Sequence, residues 1–72
     1  MERILELKNK YEEAMLKKRY ATLIYKNDRG FETNTEVDRR EPIIFNEDEN
    51  CITVCLVNNP YNVKCEDIID IH

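Results

Sequence analysis

At 72 residues the chain has room for one domain, near the lower limit for folding on one core without disulfides or metals. Its 42% hydrophobic content, single Gly and two Pro exclude a disordered linker or tail. With 15 acidic against 11 basic side chains the net charge is −4, which gives no overall attraction to a phosphate backbone.

Residues 2–18, ERILELKNKYEEAMLKK, predict a helix. Ile4, Leu7, Tyr11, Ala14 and Met15 follow the i, i+3, i+4 spacing of one apolar stripe, which Leu5 and Leu16 widen on one side. In a chain this short the stripe is expected to face the core. Glu6 with Lys10, and Glu13 with Lys17, stand four apart in the favourable order. Lys17, Lys18 and Arg19 fall where the negative end of the helix dipole favours cations. The first 20 residues carry a net +2, the remainder −6.

After Arg19 the period changes to two. YATLIYK, 20–26, is rich in β-branched and aromatic residues and predicts a strand. NDRG, 27–30, predicts a hairpin turn in which Gly30 takes a positive φ and forms a bulge. FETNTEVD then alternates, with Phe31, Thr33, Thr35 and Val37 on one side and Glu32, Asn34, Glu36 and Asp38 on the other. Pro42 marks a strand start or edge. A second hairpin follows, Ile43–Phe45 and Cys51–Val57 flanking the polar turn NEDEN. NNPYN, 58–62, reads as a further turn, with a short strand at Val63–Cys65.

The order is therefore α+β: one N-terminal helix over residues 1–18, then about five short antiparallel strands over 19–72, in a single domain. A meander of that size is expected to curl into a small barrel or half-barrel so that its edges pair. The ending, CEDIIDIH, supplies the closing strand, with a helical turn at Glu66–Ile68, Ile69 and Ile71 inward and Asp70 outward.

The strand pair YATLIYKNDRGFETNTEV, the middle hairpin and above all EDIIDIH, Glu66 to His72, resemble the YolD-like family of small bacterial and phage proteins. The resemblance covers about residues 18–72 and implies an SH3-like or Sm-like barrel. It supplies no catalytic residues. The family's association with DNA-damage and mobile-element genes implies a phage or mobile-element setting.

No motif for catalysis stands out, so no enzyme activity and no cofactor are expected. Cys51 and Cys55 are four apart, which on a strand spans ~13 Å and keeps both sulfurs off one tetrahedral metal ion. The same distance excludes a strain-free bridge between them, whereas Cys65 with either is open. His72, the only histidine, lacks the third group that would hold it as a base. The opening MERILELKNKYEE has no apolar run of a signal peptide, and no stretch approaches the ~20 apolar residues of a membrane span. A reducing cytoplasm with three free thiols is the expected setting.

The expected function is a protein-binding module that occupies a partner's surface, inhibiting a host nucleic-acid enzyme or defence nuclease. Glu32, Glu36 and Asp38 form an acidic strand face suited to a basic groove. Arg39, Arg40, Tyr61 and the acidic turn Glu47, Asp48 and Glu49 are further candidate contacts, since Arg and Tyr dominate hot spots. The partner is a protein and no membrane is involved; the chain is a monomer or a homo-oligomer. The alternative is an Sm-like single-stranded nucleic-acid binder, using Lys17, Lys18, Arg19, Lys26, Arg29, Arg39 and Arg40 with Tyr20, Tyr25 and Phe31.

Overall fold

The computed structural model describes residues 2–40, 43–56 and 59–72. A helix, α1 (Glu2–Lys18), precedes six strands: β1 (Tyr20–Lys26), β2 (Glu32–Asp38), β3 (Ile43–Asn46), β4 (Cys51–Leu56), β5 (Asn59–Lys64) and β6 (Ile68–Ile71). A 3-10 turn (Cys65–Asp67) joins β5 to β6. The strands form two three-stranded antiparallel sheets, ordered β2-β1-β6 and β3-β4-β5. The fold is a small α+β unit.

The helix ends at Arg19, which takes φ 69° while its N–H still bonds the Met15 carbonyl at 3.0 Å. That left-handed residue turns the chain straight into β1. Ile4, Leu7, Ala14 and Met15 are buried, and Tyr11 sets its ring edge-on to Phe45 of β3 at 5.6 Å. Leu5 and Leu16 correct the sequence reading: at 51% and 81% exposed they lie outside the buried stripe. The pairing on the helix is also redistributed. Glu6 is held by Arg3 rather than Lys10, and Lys10 reaches across to Asp70 at 2.7 Å, while Glu13–Lys17 stands as expected at 3.1 Å.

The β1–β2 hairpin follows its sequence signals. Asn27 N–H bonds the Phe31 carbonyl at 2.9 Å, and Gly30 adopts φ 81° in the bulge between them. The Asn27 side chain accepts the amides of Arg29 and Phe31, which fixes the turn. At the other hairpin Asn50 supplies the positive φ, 54°, that returns the chain from Glu47–Asn50 into β4.

Two readings of the second half are corrected. NNPYN is not a turn in its described part: Asn59–Lys64 is a strand paired with β4 from Cys51↔Lys64 to Leu56↔Asn59, and the candidate turn residue Asn58 lies outside the described residues, as does Val57. Pro60 fits because β5 is an edge strand, where a missing N–H interrupts no ladder. The tail does pair back onto β1, with Thr22 and His72 exchanging both backbone bonds at 2.7 and 3.0 Å. Its inward residues are Ile68 and Ile71, however, at 4% and 2% exposed, while Ile69 is 41% exposed. The register slips by one residue between Ile24 and Tyr25, so β6 carries an extra residue and the strict alternation fails.

The core unites Ile4, Leu7, Ala21, Leu23, Val37, Ile43, Ile52, Val54, Val63, Cys65, Ile68 and Ile71. It lies between the two sheets and under the helix, which packs on β1 and β6. The expected closed barrel is not what forms: among the described residues no strand of one sheet pairs through its backbone with a strand of the other. Contact between the sheets runs through side chains, and the helix covers the opening.

The Lys10–Asp70 pair ties that helix to β6. The Lys10 hydrogen bond holds the Asp70 carboxyl below the usual carboxylate range, against the smaller opposing effect of burial. A carboxylate with a depressed folded pKa stabilises the fold above its unfolded pKa of about 3.9, and that gain vanishes as pH falls through the folded value. Both partners are over a third exposed or nearly so, which keeps the pair to about 0.5 kcal/mol. Asp70→Asn is therefore expected to lower stability by about that much at pH 7 and by nothing in strong acid, measured by urea melts at each pH.

Candidate partner-binding surface

Strand periodicity places Glu32, Asn34, Glu36 and Asp38 together on the outer face of the first sheet, and all four are exposed. Across β1 they face Lys26, Ile24, Thr22 and Tyr20 in that order, so Glu32 alone has a cation directly opposite. The sequence expectation for these three carboxylates is thus placed on one continuous row. Alternate residues on a strand stand ~6.8 Å apart, so Glu36 and Asp38 are near neighbours while Glu32 stands one step beyond Asn34.

Arg39 and Arg40 follow directly in the exposed turn after β2, where the Asp38 carboxylate accepts the Arg40 amide at 2.7 Å. Acid row and basic pair are consequently contiguous. Glu47, Asp48 and Glu49 lie elsewhere, in the β3–β4 turn around a shallow depression shared with Phe45 and Asn46. Among the described residues, of the two groups the second alone lines the depression at the β3–β4 turn.

Tyr61 is brought to neither. It points between the sheets, half-buried, where Tyr25 donates its hydroxyl to the Tyr61 oxygen at 3.1 Å and Thr35 lies at 3.4 Å. Burial raises its phenol pKa, with the Thr35 contact opposing. Its role is to latch β5 onto β1 and β2. One wall of a groove of about 710 Å³ is formed here, lined also by Lys26, Asp28, Lys64 and Asp67. That groove escaped the sequence reading because β5 was read as a turn. Its charges, two of each sign, balance.

The cysteines are free thiols. Cys51, buried, pairs with Lys64 and lies beside Asn46, Cys65 is buried in the core, and Cys55 is half-buried on β4. Burial pushes the Cys65 thiol up, and the neighbouring Cys51 adds to this. Among the described residues no three His, Cys, Asp or Glu side chains are grouped to hold a metal ion. Among the described residues no helix is long and apolar enough to cross a membrane.

Comparison with protein-family models, with curated proteins and with solved structures gives no match.

Proposed function

We propose that this protein is a non-enzymatic binding module that works by occupying the surface of a protein partner. The carrying observation is the exposed row Glu32, Glu36 and Asp38 on one sheet face, with Arg39 and Arg40 at its end. Carboxylates in line along a strand offer a basic groove what a nucleic-acid backbone offers it: negative charge along a line. The partner class is accordingly a nucleic-acid enzyme, including a defence nuclease, and the effect is inhibition. A phage or mobile-element origin and a reducing cytoplasm belong to the same proposal.

The finer fold reading belongs here too. The order β2-β1-β6 and β3-β4-β5, with a 3-10 turn leading into a last strand that pairs with the first, supports an SH3- or Sm-like arrangement. The Sm-like nucleic-acid reading draws less support. Tyr25 is half-buried and hydrogen-bonded to Tyr61, and the outer face between the candidate cations carries the carboxylates.

The test compares immobilised wild-type protein with the triple variant E32K/E36K/D38K in a lysate of the native host. The expected result is a nucleic-acid enzyme retained by the wild type, lost from the variant, and inhibited by added wild-type protein. Retarded single-stranded RNA at physiological salt, or identical retention by both proteins, overturns the proposal.

A further inference from the structure

A three-stranded sheet has two edges, and unpaired strand edges recruit other strands unless something blocks them. Three of the four edges in this fold are obstructed. On β6 the Arg3 guanidinium donates to the carbonyls of Ile68 and Ile69 at 3.0 and 3.1 Å. On β3 the Tyr11 ring sits edge-on against Phe45. On β5 Pro60 has no N–H to offer. The β2 edge has no such cover among the described residues.

The register says which groups that edge presents. Thr22 gives both its N–H and its carbonyl to His72 of the β6 side. Its partner Glu36 therefore cannot bond to Thr22, and turns its own amide and carbonyl away from β1. By the same alternation Glu32, Asn34 and Asp38 do likewise. The residues whose backbone faces outward are thus the residues whose side chains form the acidic row.

The geometry points to β2 as a docking strand that accepts an extended, alternately basic segment of the partner as a fourth strand of this sheet. The inference rests on the function proposed above and names how the partner is held. Residues of the added strand that bond to β2 would lie opposite Glu32, Asn34, Glu36 and Asp38, on the outer face, where Lys or Arg meets carboxylate. The intervening residues would flank Thr33, Thr35 and Val37, where small β-formers fit. Charge excludes a second copy: two β2 strands side by side would set carboxylates against carboxylates on a chain of net −4.

The probe is a short synthetic peptide in which Lys or Arg alternates with Thr or Val. Its control carries the same charges but is N-methylated at the amides that would bond to β2. Hydrogen exchange of the wild-type protein is followed by NMR at low salt. Expected is slowing of about tenfold at the amides of Glu32, Asn34, Glu36 and Asp38 with the peptide and none with the control. Asn34→Pro removes one outward N–H without touching the ladder to β1, and is expected to weaken peptide binding about tenfold. The N-methylated control carries the test should that variant fail to fold.

Equal binding of both peptides with no change at those four amides overturns strand addition while leaving charge-based partner binding intact. Equal binding of the peptide to wild type and to E32K/E36K/D38K overturns both.

Discussion

Ile71→Ala is expected to cost about 3 kcal/mol, and Ile69→Ala, two residues away, less than about 0.5 kcal/mol. Ile71 is 2% exposed and sits in the core opposite Leu23. Truncation there leaves a cavity that the helix and β1 cannot both move to fill. Ile69 is the extra residue of the β6 bulge, 41% exposed, and loses little on truncation. A domain of 72 residues holds about 4–10 kcal/mol in all, so the first variant spends a third or more of it. At about 5 °C per kcal/mol the melting temperature falls by roughly 15 °C, against a degree or two for Ile69→Ala. Deleting residues 68–72 removes both buried isoleucines and the Thr22–His72 bonds, and cooperative melting is expected to vanish. Circular-dichroism melts of the three variants check this; equal losses at Ile69 and Ile71 would refute the bulged register.

The same bulge shows where sequence reading stops. Period-two alternation assumes one residue per partner residue, and on β2 that held: Glu32, Glu36 and Asp38 share the exposed face that their spacing implies. An insertion opposite Tyr25 depends on how β6 meets β1 some 45 residues away in the chain, and nothing local in IIDI announces it. The β1–β2 turn was legible because Gly30, the only glycine, marks its left-handed position. NNPYN misled for the opposite reason. Asn and Pro are turn formers by composition, but Pro60 is equally compatible with the outward side of an edge strand. With β5 misread, the inward direction of Tyr61 and its bonds to Tyr25 and Thr35 were out of reach. Lys10 illustrates the same limit for charge: helix spacing offers it Glu6, and the tertiary fold gives it Asp70.

Leu7→Asp is expected to unfold the protein at neutral pH, costing more than about 4 kcal/mol, while Leu16→Asp leaves its stability within about 0.5 kcal/mol. Leu7 is 0% exposed and Leu16 is 81% exposed, although both lie on the apolar side of the helix as the sequence presents it. A carboxylate at position 7 would be enclosed by the core with no cation among its members. Burial would raise its folded pKa far above the unfolded value of about 3.9. Below that value the group is neutral in both states, and the cost reduces to lost packing. As pH rises past it, only the unfolded chain ionises freely, and stability falls further until the folded pKa is passed. The signature is a variant that folds more readily in mild acid than at pH 7, the reverse of the behaviour expected from Asp70. Urea melts at both pH values decide the matter. Equal tolerance of Asp at positions 7 and 16 would mean that α1 does not cover the sheets, and the acidic row on β2 would lose the rigid backing that lets it present its charges in line.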